Sequence, residues 1–149
     1  MEKIVGWKEV VSLPALGIAS LKCKVDTGAK NSAIHAFEVK EFTQDGQRWV
    51  RFKVHTDDNN SEVFHECEAK VQDVRKVTNS GGYATNRFFI ETEIQLGDYT
   101  IRAPMSLTSR DTMAFKMLLG RTALRKAGLL VDPSKEFLQG GHHENSDSV

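Results

Sequence analysis

The sequence contains no long apolar run; nothing approaches the ~18 consecutive apolar residues of a membrane-spanning helix. It also lacks an excess of charge, because twenty Lys and Arg balance twenty Asp and Glu. A chain without an overall field does not draw in nucleic acid or an anionic membrane, so neither is an expected partner. The local basic spots (Lys22, Lys24 and Lys30, then Arg51 and Lys53) alternate with apolar residues and read as solvated strand faces. Residues Met1 to Glu9 hold no apolar core of the kind a signal peptide needs, which makes the cytoplasm the expected compartment. There are only two cysteines, Cys23 and Cys67, and without a secretory signal they read as free thiols.

Two chemical motifs are missing as well. Common metalloproteases carry His-Glu-x-x-His, which places two imidazoles on one helix face and a Glu beside the metal-bound water. Here His65-Glu66 is followed by Ala69 where the second His would stand, in a segment that reads as strand. His35, His55 and Cys67 have no ligand spacing, and His142 and His143 fall in a polar tail, so no metal is expected. The phosphate-cradling Gly-x-x-x-x-Gly-Lys-Ser/Thr loop is absent too, since Asn79-Ser80-Gly81-Gly82 has no Lys-Ser/Thr after it. No cofactor is expected, and any dependence on ATP would have to come from a partner.

What is present fits one domain. The length of 149 residues and a hydrophobic share of 40% exclude collagen, coiled coil and wholesale disorder. Leu21, Cys23 and Val25 alternate with lysines, and Val50, Phe52 and Val54 alternate with Trp49, Arg51, Lys53 and His55, the period of half-buried strands. Val63, His65, Cys67, Ala69 and Val71 repeat the pattern, and residues 87–96 and 99–107 form two more runs joined at Gly97-Asp98, a hairpin signal. Asp57 to Ser61 and Thr78 to Tyr83 are polar loops. Only 122–128 looks helical, with Gly128 as its stop. The expectation is a mostly-β domain over 1–139, a closed or nearly closed barrel with one short C-terminal helix, and a disordered tail over 140–149.

The chemistry concentrates at Val25-Asp26-Thr27-Gly28-Ala29. A strand delivers a carboxylate onto a turn, Thr27 can tie the turn with its hydroxyl, and Gly28 lets amides approach the carboxylate. Alone, Asp-Thr-Gly is also an ordinary turn. The second informative segment is Met117-Leu118-Leu119-Gly120-Arg121-Thr122-Ala123-Leu124, an apolar strand, a Gly-Arg step and the start of the helix.

Together these segments resemble one subunit of a retropepsin, whose second element threads beside the aspartate loop and buttresses it. A bacterial retropepsin-like family, often labelled ATP-dependent zinc protease and linked to ATP-grasp ligases, is similar over nearly the whole chain. The resemblance rests on Gly6-Trp7-Lys8-Glu9, Leu13-Pro14, Lys24 to Ala29, Ser32-Ala33-Ile34-His35-Ala36, Ser80-Gly81-Gly82 and Arg87. It continues through Thr108 to Met113, Leu118 to Arg121 and Val131-Asp132-Pro133-Ser134.

The resemblance implies the single-lobe acid protease fold and an aspartic endopeptidase that hydrolyses peptide bonds with an Asp-activated water. Asp26, Thr27 and Gly28 would then be catalytic, and Ala29, Gly120 and Arg121 would support the loop. Peptides or proteins would be the substrates, and an ATP-grasp ligase adding glutamate-type residues would be a partner whose products the enzyme trims or controls. Such catalysis needs two carboxylates sharing one proton. No other Asp stands in a Thr/Ser-Gly context, so a homodimer with one Asp26 per chain is required. Ser80-Gly81-Gly82 reads as a flap or as a plain surface hairpin, with the Asp57–Ser61 loop competing for the flap role. His35 reads as a packed strand histidine or as a group that tunes the site.

One position departs from the viral pattern. Lys30 stands where those relatives carry a second acidic residue, and it would repel Arg121, which must find another acceptor. The dimer contacts of the viral enzymes therefore do not carry over. The alternative function is a non-catalytic module whose groove holds a peptide or the ligase; the intact Asp-Thr-Gly favours the enzyme and Lys30 favours the module.

Overall fold

A computed structural model of the chain describes residues 3–57, 60, 62–78, 81–109 and 114–139. The expected tail over 140–149 and Ser80 lie outside these residues. In chain order the strands are β1 (Ile4–Val5), β2 (Lys8–Leu13), β3 (Ile18–Val25), β4 (Ser32–His35), β5 (Phe37–Gln44) and β6 (Gln47–His55). They continue with β7 (Phe64–Lys70), β8 (Asp73–Thr78), β9 (Ala84–Leu96), β10 (Tyr99–Thr108) and β11 (Met117–Leu119), then helix α1 (Arg121–Ala127) and β12 (Leu130–Val131). None of the described helices is long and apolar enough to cross a membrane.

The neighbours run β10-β4-β11-β3-β2-β9, and β9 pairs back onto β10, which closes a six-stranded barrel. The expected mostly-β barrel with one short helix is what the chain forms. Period-two sequences build its wall: Val11 and Leu13, then Leu21, Cys23 and Val25, then Ile90, Ile94 and Leu96 all turn inward and are buried. Each fully buried aliphatic side chain of this size contributes roughly 1.5–3 kcal/mol. The hairpin expected at Gly97-Asp98 joins β9 to β10, with Leu96 facing Tyr99.

A second sheet, β5-β6-β7, is not paired with the barrel strands but packs its buried face into the same core. Val50, Phe52 and Val54 of β6 are fully buried, while its other face carries the cross-strand ion pairs Arg51–Glu68 and Lys53–Glu38. Such exposed pairs add little, about 0–1 kcal/mol each. The apolar stripe expected from Val63 to Val71 is narrower than its pattern suggests. Val63 precedes the strand and is 40% exposed, and Cys67 is the residue of β7 that reaches the core. The helix starts at Arg121, one residue before the expected start, and Gly128 ends it at φ 65°.

One buried charge organises the end of the domain. Glu9 on β2 is fully buried and accepts the backbone N–H groups of Gly6 (2.7 Å), Leu138 (2.9 Å) and Gln139 (2.9 Å). Three charge-assisted bonds satisfy the carboxylate and strap the C-terminal segment to the start of the barrel.

Candidate active site

β3 ends at Val25 and hands Asp26 to a tight loop. The Asp26 N–H donates to the Leu119 carbonyl (2.9 Å), and its own carbonyl accepts from Ala29 N (3.2 Å). The Gly28 N–H donates to Asp26 Oδ1 at 2.9 Å. A β-carbon on Gly28 would stand 3.1 Å from that same oxygen, closer than ordinary packing, so the glycine keeps the amide–carboxylate approach open. The carboxylate is thus positioned by backbone, and its side chain is partly exposed.

The Gly-Arg segment lies against this loop. Leu118 pairs with Lys24 and Leu119 with Val25 in parallel, so β11 runs directly beside the strand that carries Asp26. Gly120 sits where a β-carbon would be 2.5 Å from the Asn31 carbonyl carbon and 2.6 Å from its oxygen, a space only glycine fits. Its N–H donates to Ser32 Oγ (3.0 Å). The next two amides start the helix and have no partner within it. They donate outward instead, Arg121 N to the Ala29 carbonyl (2.8 Å) and Thr122 N to the Lys30 carbonyl (2.9 Å). Arg121 Nη1 donates to the Thr27 carbonyl (2.9 Å), which is the acceptor that Lys30 could not be. Ser32 and Thr122 stand in the motifs read from sequence but carry no assigned role there; a hydroxyl in a strand or first helical turn gives no signal until its distant partner is known.

A hollow of about 290 Å³ opens beside the loop, with Ala29 and Asn31 on one side and Arg87, Ser106 and Thr108 contributed by β9 and β10. From Asp73↔Phe89 to Thr78↔Ala84, β8 and β9 form an antiparallel arm, whereas β10 pairs with β9 only up to Ser106↔Phe89. The arm therefore extends beyond the barrel from the edge of this hollow. Gly81 and Gly82 lie exposed in its turn, Gly82 at φ 85° with open space around it. The competing Asp57–Ser61 loop, which follows β6 in sequence, lies outside the described residues at Asp58, Asn59 and Ser61.

Other nucleophiles and ligands are poorly placed. Burial, and secondarily the Glu9 carboxylate, pushes the Cys23 thiol up to about 12. Burial, and then Glu66, does the same to Cys67, also to about 12. His35 is 2% exposed in β4 and its ring stacks on His55 at 5.3 Å with 14° between planes. Stacked rings present faces, not nitrogen lone pairs, to a shared point. Among the described residues no three His, Cys, Asp or Glu side chains gather as a ligand set.

Comparison with known proteins agrees with this geometry. Residues 4–142 match a family described as RimB-like, retropepsin-like aspartic endopeptidase RimB. A probable alpha-L-glutamate ligase of Shewanella halifaxensis (strain HAW-EB4) is 39% identical over 141 residues, 95% of this chain and 31% of that one. One of Parasynechococcus marenigrum (strain WH8102) is 38% identical over 144 residues, 97% of this chain and 29% of that one. The chain spans about three-tenths of the length of these curated relatives. A solved Legionella pneumophila protein of unknown function has a similar structure, with a TM-score of 0.76 at 28% identity, covering 93% of this chain and 98% of that one.

Proposed function

The chain belongs to the RimB-like family of retropepsin-like aspartic endopeptidases, and from that premise we propose that it hydrolyses peptide bonds with a water activated by two Asp26 carboxylates, one from each subunit of a homodimer. The observation that carries this reading is the Asp26 carboxylate held by Gly28 N while its loop is tied to Leu119, Gly120 and Arg121. A module that only binds peptide has no use for a carboxylate fixed in this way.

The two carboxyl groups share one proton, because like charges a few ångströms apart do not both ionise. The ionised member takes a proton from water as the oxygen attacks the scissile carbonyl carbon. The protonated member gives its proton to the carbonyl oxygen. Collapse of the tetrahedral diol breaks the C–N bond, and the departing nitrogen takes a proton back from the dyad. Thr27, Ala29, Gly120 and Arg121 hold the loop in place through these steps. The β8–β9 arm, with Gly81 and Gly82 at its turn, is the flap over the hollow.

The dimer follows from chemistry, since one chain supplies one such aspartate. A mainly apolar hollow of about 280 Å³, lined by Leu124, Leu129, Leu130 and Val131 together with Thr27, Arg121 and Arg125, borders the same loop and offers surface for a second copy to cover. An ATP-grasp peptide ligase is the proposed partner and the source of the peptides trimmed. Support comes from relatives named probable alpha-L-glutamate ligase that contain a similar segment within a longer chain. The buried free thiols accord with a cytoplasmic setting.

The alternative, a binding module, is favoured by Lys30 in place of an acidic residue. Asp26→Asn separates the two. The amide keeps the side-chain oxygen that Gly28 N binds, so folding and peptide binding survive, while hydrolysis falls by at least about 10²–10⁴-fold. Undiminished hydrolysis by the Asp26→Asn chain overturns the enzyme reading.

A further inference from the structure

Two sequence motifs have no part in the chemistry proposed above, Gly6-Trp7-Lys8-Glu9 and Val131-Asp132-Pro133-Ser134. The structure brings them together. Ile4 pairs with Leu130 and Val5 with Val131, and the Asp132 N–H donates to the Val5 carbonyl (2.8 Å). The segment after Ser134 then crosses the first motif. Trp7 N donates to the Lys135 carbonyl and Phe137 N to the Lys8 carbonyl, both at 2.9 Å. A β-carbon on Gly6 would lie 2.3 Å from that Lys135 oxygen, so only glycine permits the crossing.

Glu9 locks the crossing in place. Phe137 stands at φ 54°, a left-handed conformation uncommon for a bulky residue. The next two amides, Leu138 and Gln139, donate to the two oxygens of the Glu9 carboxylate at 2.9 Å each, and Gly6 N joins them at 2.7 Å. Successive amides turned onto one carboxylate make an anion-holding nest. Burying a charge is a poor route to stability alone, because desolvation offsets much of what its bonds return. Its use here points to a fixed geometry.

The strand that delivers Asp26 lies beside the crossing. The Trp7 carbonyl accepts from Val25 N at 2.8 Å, and the Trp7 ring meets Phe115 edge-on at 5.9 Å. On the other flank of β3, Asp26 N donates to the Leu119 carbonyl of β11. The end of β3 is therefore held between Trp7 and Leu119. The Gly120 and Arg121 contacts fix the Leu119 side, and the crossing fixes the Trp7 side.

We propose that Glu9 is a positioning residue for Asp26: by locking residues 135–139 across Gly6 and Trp7, it sets the carbonyl that holds the end of β3. The inference rests on Asp26 being the group that activates water.

Three variants test it. Glu9→Gln leaves one acceptor oxygen for three N–H donors, Glu9→Asp keeps both oxygens on a shorter stem, and Gln139→Pro removes one donor. For each, kcat and KM per folded chain are measured on a quenched fluorogenic peptide that the wild type cuts, and amide hydrogen exchange is followed by NMR. Glu9→Gln is expected to lower kcat by about 10–100-fold at nearly unchanged KM, the effect of a slightly misplaced reacting group. Protection of the Val25 and Asp26 amides should fall by about tenfold more than that of the β6 amides. Glu9→Asp should recover part of both losses, and Gln139→Pro should show both in weaker form.

An unchanged kcat overturns the proposal. So does a loss of protection shared equally with β6, or the failure of all three variants to fold, since either marks a purely structural role. If the wild type cuts no peptide, the endopeptidase reading fails and exchange alone decides. A loss confined to Val25 and Asp26 then supports the positioning role, and a uniform loss overturns it.

Discussion

Arg121 Nη1 donates to the carbonyl oxygen of Thr27 at 2.9 Å, so the first residue of the helix grips the residue that follows Asp26. With Lys30 unable to accept from it, the guanidinium is satisfied by backbone instead of by a carboxylate. The same residue's N–H holds the Ala29 carbonyl, which gives two attachments on either side of Gly28.

Arg121→Met keeps the aliphatic stem and removes the donors. The Thr27 carbonyl then returns to water, and stability is expected to fall by at most ~1.5–3 kcal/mol, the range for a hydrogen bond with one charged partner. Urea unfolding measures this directly. Hydrolysis should fall by more than unfolding accounts for, because the loop that carries Asp26 is less constrained. Arg121→Lys, a point charge without the planar fork, should recover only part of either loss.

Gly120 is the tightest point of the site. Gly120→Ala places a methyl group 2.5 Å from the Asn31 carbonyl carbon, and the neighbour is backbone that cannot rotate away. Overpacking of this kind costs about 1–3 kcal/mol or more, and here it also pushes β11 from β4. Gly46→Ala is the control: φ is +75° with nothing within 4 Å, so the cost is confined to backbone strain of roughly 1–2 kcal/mol. Both variants are expected to lose stability, but only Gly120→Ala should lose activity in the fraction that remains folded.

The two thiols give a measurement independent of catalysis. Both are raised from an ordinary value of 9.0 to about 12, chiefly by burial. At pH 8 the thiolate fraction is then about 10⁻⁴, so iodoacetamide should leave the native chain unlabelled and modify both sites once guanidinium unfolds it. Because the folded state favours the protonated thiols, their contribution to stability is complete below pH 9 and is lost as the pH climbs from 9 towards 12.

These outcomes bear on how much the sequence tells. Leu21, Cys23 and Val25 or Val50, Phe52 and Val54 announce their strands because alternation is a local property. Gly97-Asp98 announces its hairpin for the same reason. Which strands meet is not local. Leu107 faces Ile34 and Leu118 faces Lys24 across long separations, and no periodicity encodes those registers. The sheet formed by β5, β6 and β7 was indistinguishable from barrel wall, because both bury one face. Glu9 reads as a polar strand residue; its burial makes sense only with the amides of Leu138 and Gln139, 129 and 130 positions away. Asp26 and Gly120 were legible because two short motifs must meet for either to matter. Arg87 was visible as a motif residue, but its place in the hollow beside Ala29 and Asn31 exists only in three dimensions.

The requirement for two aspartates yields a test by mixing. Equal amounts of wild-type and Asp26→Asn chains, exchanged freely and reassembled, distribute binomially in a two-fold dimer. About a quarter of the dimers then carry two Asp26 residues and about half carry one. If both carboxyl groups are needed, activity per wild-type chain drops to about half that of the unmixed wild type. Independent monomers, each active by itself, would keep the full value per wild-type chain. The loss should deepen in proportion as the Asp26→Asn chain is added in excess, since each wild-type chain then meets a second Asp26 less often. Activity measured against the mixing ratio therefore reports how many Asp26 residues one site contains, without any knowledge of the natural substrate beyond a peptide that is cut. A linear dependence on the number of wild-type chains overturns the dimeric site, and a dependence on the square of their fraction supports it.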